Sequence, residues 1–222
     1  MNAFKKMIIP FAGLLLILTA AKDSDKERER VQKANVVLKD FQKMEESIPS
    51  ELMKQAQGIV IIPKMINAGF GIGGKLGKGL ALVKLASGKW SDPVFVTFTG
   101  GSIGFQFGVQ AVDLVLVFRN KGVLTQVDKG DFTIGGDISA AAGPVGRSSS
   151  ASTDYKLDAE VYSYSRSKGL FVGITINGSN IGIDKTANGN FYGAGANSKS
   201  LFETSVSAST DVISLKKTLS GM

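Results

Sequence analysis

The sequence predicts an α+β protein: N-terminal helices, a glycine-rich, twisted antiparallel β-sheet or barrel, and a short C-terminal helix. Three observations carry this reading. Apolar residues recur at helical spacing before Gly58 and at a period of two after it. Glycine is the compositional outlier, 27 of 222 residues, most of them inside alternating segments beyond Gly58. Glycine weakens a strand unless the backbone must bulge, bend or approach another backbone closely, so tightly bent sheets are expected. The tail at 211–219 reads as helix again, with Asp211 as its cap.

The elements follow in order. Val31, Ala34, Leu38 and Phe41 share one face of a helix predicted over 26–46, with Lys33, Lys39 and Lys43 elsewhere on the cylinder. Ser47 and Pro49 start a second short helix that Gly58 ends. A buried-type strand over 59–62 stops at Pro63, and strands over 70–74 and 80–85 flank the basic, glycine-rich 75–79. A strand over 94–99 meets a turn at Gly100-Gly101. Ile103, Phe105, Phe107 and Val109 then alternate with small or polar residues, and 113–118 is a further strand before a turn at 119–122. Small residues fill 132–142, 148–153 is a serine-rich loop, and three consecutive antiparallel strands are predicted over 157–165, 170–176 and 179–183. Their turns are at 167–169 and at Asn177-Gly178, the latter a strong hairpin signal. No fixed-period repeat is visible.

The N-terminus has the order of a secretory signal: Lys5-Lys6, an apolar run over 7–18, then Thr19, Ala20 and Ala21. The expected organisation is a signal peptide over 1–21, a charged exposed linker over 22–30 and one domain over 31–222. The run is short for a membrane span. Leu18-Thr19-Ala20-Ala21 also has the shape of a lipobox with alanine in place of the acylated cysteine. Export to the periplasm or envelope is the expected localisation.

With no cysteine, the chain has no disulfide and no thiolate nucleophile; with no histidine, it lacks the commonest general base and metal ligand. The scattered acids Asp92, Asp113, Asp131, Asp137, Asp154, Asp158 and Asp184 form no EF-hand loop. Neither an enzyme nor a bound metal or cofactor is expected. The segment 69–75 matches both GxGxxG and GxxxxGK, yet Leu76 stands where the Walker motif needs Ser or Thr, and Gly77 and Gly79 oppose the helix both motifs need. A packed, twisted glycine strand accounts for it better.

A net charge of +7 favours anionic partners. Lys64, Lys75, Lys78 and Lys84 crowd one stretch, and Lys33, Lys39 and Lys43 ride the first helix. These seven lysines are the candidate contacts to anionic membrane phospholipid; a solvated, aggregation-deterring strand edge is the competing explanation. Nucleic acid is not expected, because the basic residues lack interleaved aromatics.

Several long motifs stand in a recognisable order: AQGIVIIPK at 56–64, AGFGIGG at 68–74, WSDP at 90–93 and TGGSIGFQFG at 99–108. DLVLVF at 113–118, AAGPVGR at 141–147 and YSYSRSKGLF at 162–171 follow. Over 31–193 the chain resembles the SYLF lipid-binding domain family. The resemblance implies non-enzymatic binding of phosphoinositide or other anionic lipid and, in yeast-type members, actin binding. An export segment with one bare domain is similar to bacterial members of that family, for which an anionic phospholipid is the expected ligand and actin is not an expected partner. A structural or protein-interaction role in the envelope is the alternative.

Overall fold

The computed structural model describes residues 9–44, 47–125, 132–136, 139–143 and 159–222. Helices α1 (Ile9–Lys43) and α2 (Ser50–Gln55) lead into strands β1 (Gly58–Val83) and β2 (Val94–Phe118) and the short helix α3 (Gly122–Thr125). Strands β3 (Phe132–Ile134), β4 (Ala140–Ala142), β5 (Val161–Ser167), β6 (Leu170–Phe171) and β7 (Ser179–Ile183) follow, then helices α4 (Lys185–Tyr192), α5 (Ser198–Glu203) and α6 (Thr210–Ser220). The α+β class and the helix–sheet–helix order are as the sequence predicts.

β2 is the centre of the sheet. Along one edge it pairs with β1 over nearly its whole length, from Gly58 opposite Phe118 to Ala81 opposite Val94. Its other edge is shared by β7, opposite Val96 to Gly100, and β5, opposite Asp113 to Phe118. β3 extends the sheet beyond β7, β6 pairs β5, and β4 runs parallel to β5, the one exception to an antiparallel sheet among the described strands.

The long β1–β2 ribbon is folded back on itself. The Lys84 N–H donates to the Gln57 carbonyl, 2.9 Å away, so the last residues of β1 lie beside its first. A Cβ at Gly79 would come within 2.0 Å of the Ile61 carbonyl oxygen, and one at Gly77 within 2.4 Å of Ile62 Cγ2. Glycine at these positions lets the two halves of one strand approach and curl the sheet into a nearly closed barrel.

Both faces of this sheet are buried around residues 59–62, 80–83, 94–98 and 112–118. Ile59, Ile61, Leu80, Leu82, Phe95, Val115 and Val117 point outward into a core with Val31, Ala34, Leu38 and Phe41 of α1 and Val212 and Leu215 of α6. Val60, Ile62, Ala81, Val96, Phe98, Leu114, Leu116 and Ile181 fill the interior. Two buried faces explain why 59–62 and 114–118 are continuous apolar runs.

The structure corrects several sequence expectations. Pro63 and Gly100-Gly101 do not end strands; β1 and β2 run through them, and 75–79 is paired strand opposite Gly100 to Val96. Residues 22–30 are helical, continuous with α1, and Glu27 is buried, held to Arg30 at 3.1 Å. β7 does not pair with β6: the turn at Gly178 (φ 73°) carries the chain across to β2. Asp211 is not the α6 cap; it accepts from Gln32 Nε2 at 3.0 Å and Arg28 Nε at 3.3 Å, tying α6 to α1. Helices α4 and α5 were not foreseen. The serine-rich 148–153 and Asp131, Asp137, Asp154 and Asp158 lie outside the described residues.

Candidate functional site

Pro63 has no N–H to give to a ladder, so a strand that runs through it needs a bulge. The register slips between Ile62 and Met65, and Lys64 adopts a left-handed φ of 50°. Asp113 Oδ1 accepts the Lys64 N–H at 2.9 Å, and Arg166 ties the Asp113 carboxylate, at 2.9 Å, to Asp40 of α1, at 2.6 Å. One extra residue reverses the alternation. Before the bulge Val60 and Ile62 face the interior; after it Met65 does, and Ile66 is turned outward.

Among the described side chains, the outward face of the ribbon beyond the bulge therefore carries exposed aliphatic residues. Ile66 is 42% exposed, Leu76 62% and Val109 76%. Val109 lies opposite Ala68, and Leu76 opposite Thr99. The helices that cover the same face near Ile61 and Leu80 leave this stretch open. On β1, Lys64 and Lys78 stand two residues outside Ile66 and Leu76, and both are exposed.

The seven predicted lysines are not one cluster. Lys64 and Lys78 flank the bare face. Lys78 reaches Asp184 Oδ2 at 3.2 Å, where Arg30 arrives at the same distance. Burial acts to raise the Asp184 pKa, but the Ala187 N–H, Lys78 and Arg30 outweigh it and hold the carboxyl below its ordinary range. Lys33 is exposed and pairs with Glu29 at 2.8 Å; that bond, with a smaller contribution from Lys64, lowers the Glu29 pKa. Lys39 and Lys43 are exposed on α1.

Two lysines do not fit the expectation. Lys75 is only 4% exposed and turned into the barrel, its Nζ donating to the Gly101 carbonyl at 3.2 Å; burial lowers its pKa. Lys84 Nζ lies 3.4 Å from the Met53 and Lys54 carbonyls at the end of α2 and 5.3 Å from the Trp90 ring centroid, also with a pKa lowered by burial. The apolar stripe of the helix that carries Lys33, Lys39 and Lys43 packs into the core: Val31, Ala34, Leu38 and Phe41 are all 0% exposed. Ile66, Leu76 and Val109 were missed. The available signal was Pro63 inside an apolar run, which demands a bulge and hence a reversal of faces.

Sequence comparison locates the chain among known proteins. A family model described as "Ysc84: Las17-binding protein actin regulator" matches residues 99–222. Protein YSC84 of Saccharomyces cerevisiae is 34% identical over 181 residues, covering 78% of this chain and 38% of the yeast protein. SH3 domain-containing YSC84-like protein 1 of Xenopus laevis is 33% identical over 169 residues, 73% of this chain and 50% of its own length. The Bos taurus protein of that name is 31% identical over 172 residues, with 74% and 50% covered. The chain thus spans half or less of the length of these relatives. They are fungal and vertebrate, and the expectation that actin is not a partner gains no support from them. A family model over more than half of the chain and the motif order between Ala56 and Phe171 agree, and the chain belongs to the Ysc84, or SYLF, family.

Proposed function

We propose that this chain is a non-enzymatic module that docks on anionic membrane phospholipid through the outward face of the β1–β2 ribbon. The observation that carries the reading is the bare trio Ile66, Leu76 and Val109 bracketed by Lys64 and Lys78. Inserting a largely exposed aliphatic side chain into the acyl boundary contributes about 1–2 kcal/mol. Each lysine near an anionic surface adds about 1 kcal/mol. The net charge of +7 acts in the same direction at longer range.

Cosedimentation of the full chain with vesicles tests this. Phosphatidylcholine vesicles containing phosphatidylglycerol should pull the protein down, pure phosphatidylcholine should not, and added salt should release it. Equal binding to both vesicles, or to neither, overturns the proposal.

Export belongs to the same reading, on the strength of Lys5-Lys6, the apolar run and Ala20-Ala21. Cleavage near Ala21 would spare the packed part of α1, whose buried side chains among the described residues begin at Glu27. Mass spectrometry of the native protein showing an intact Met1 would refute it. The family description, with its reference to Las17 and actin, favours a second reading, a protein-interaction module; pelleting with actin filaments in the absence of lipid would favour it.

A further inference from the structure

The interior of the barrel is apolar until the rung where Lys75 sits. There β1, β2, β7 and β3 are in register: Lys75 opposite Gly100, Gly100 opposite Ser179, Ser179 opposite Ile134. Lys75 is two residues from Gly77, which packs on Ile62 and Met65, and Ser179 is two from Ile181, so both share the interior face.

Two polar groups share this rung, one on each side of Gly100. A Cβ at Gly100 would lie 2.4 Å from Ser179 Oγ, so the hydroxyl is directly above the Gly100 backbone. Lys75 Nζ reaches across to the next carbonyl, Gly101, at 3.2 Å. The Ser179 hydroxyl is fully buried and has no hydrogen-bond partner among the described residues. Lys75, 4% exposed, has three N–H donors, and among the described residues the Gly101 carbonyl satisfies one. Burial alone depresses its pKa, with no acidic neighbour among the described residues to offset it. A buried ammonium and a buried hydroxyl left short of partners are costly in a core, and each requires an explanation.

We propose that this inner end of the barrel is an oxyanion site, in which the Lys75 ammonium and the Ser179 hydroxyl together bind one carboxylate or phosphate group. The oxyanion supplies the missing counter-charge and accepts from both donors. The site is on the opposite face of the ribbon from Leu76 and Lys78, and it stands apart from membrane docking.

Calorimetric titration of the full chain with inorganic phosphate, octanoate and dioctanoyl phosphatidate, against chloride at matched ionic strength, tests the proposal. At least one probe should bind saturably at one per chain. Lys75→Met should weaken it roughly tenfold or more, and Ser179→Ala roughly threefold, the scale of a lost charge-assisted and a lost neutral hydrogen bond. Both variants should melt at or above the wild-type temperature without ligand, because each removes an under-satisfied buried group. Binding of inorganic phosphate identifies a free anion as the ligand; binding confined to octanoate or dioctanoyl phosphatidate identifies a lipid. No saturable binding of any probe, or an affinity unchanged in either variant, overturns the site. Vesicle cosedimentation of Lys75→Met separates the two proposals, since docking through the outward face is retained when the interior ammonium is lost.

Discussion

Replacing Gly79 with alanine tests the closure of the barrel on itself. The added Cβ would stand 2.0 Å from the Ile61 carbonyl oxygen, 2.9 Å from its carbon and 2.6 Å from Ile62 Cδ1. Comfortable contact needs about 3.5 Å, so the two halves of β1 would have to separate by about 1.5 Å. Ile61 cannot yield easily, because it is held in the ladder opposite Val115, while Gly79 is held opposite Val96. Overpacking a close-packed core costs about 1–3 kcal/mol, and a backbone obstacle belongs at the upper end. Alanine recovers about 0.4–1 kcal/mol by restricting the unfolded chain. The net loss is about 2–3 kcal/mol, or about 4–12 °C in melting temperature for a domain of this size. Gly101→Ala is the control: nothing lies within 4 Å of its added Cβ, and its stability should stay within about 0.5 kcal/mol of wild type. Thermal unfolding followed by circular dichroism reads both. A Gly79→Ala protein melting within about 1 °C of wild type, or a Gly101→Ala protein falling as far, would refute the folded-ribbon argument.

Leu76→Asp and Val109→Asp, at positions 62% and 76% exposed, should each weaken binding to anionic vesicles by about tenfold while leaving the melt unchanged; undiminished binding would remove the apolar face from the docking surface. Asp92, 1% exposed, accepts from the half-buried Lys216 Nζ and from the Val206 and Ser207 N–H groups, so Asp92→Ala should cost about 1–3 kcal/mol by leaving these donors without their acceptor, measured as a shift of the urea midpoint. Asp184 has a folded pKa below its ordinary 3.8, so its contribution is complete above 3.8 and is lost as pH falls through the lower folded value. Urea midpoints between pH 5 and about pH 2 should fall more steeply for wild type than for Asp184→Asn; parallel curves would contradict this.

Much of the fold was legible because the signals are local. Val31, Ala34, Leu38 and Phe41 mark α1 by spacing alone, and all four are buried where that spacing puts them. The change to a period of two at Gly58 marks the start of β1. Continuous runs such as 114–118 mark strands covered on both faces, since alternation is lost when both sides are core.

Legibility ended where a residue's meaning depends on a distant partner. Pro63 and Gly100-Gly101 read as strand ends because such residues usually interrupt a ladder; here a bulge anchored by Asp113, and β1 and β7 on either side, carry the strands through. Charge was readable as a total and unreadable as a surface. Lys75 and Lys78 are three residues apart, yet strand alternation sends one inside beside Ser179 and the other outside to Asp184. The sequence by itself determined the class, the order of elements, the glycine-dependent bending and the family. The tertiary structure alone decided which face of the ribbon is bare, which lysines reach solvent and which polar groups meet inside the barrel. The physical reason is that exposure follows from register and closure, and both depend on contacts between segments far apart in the chain.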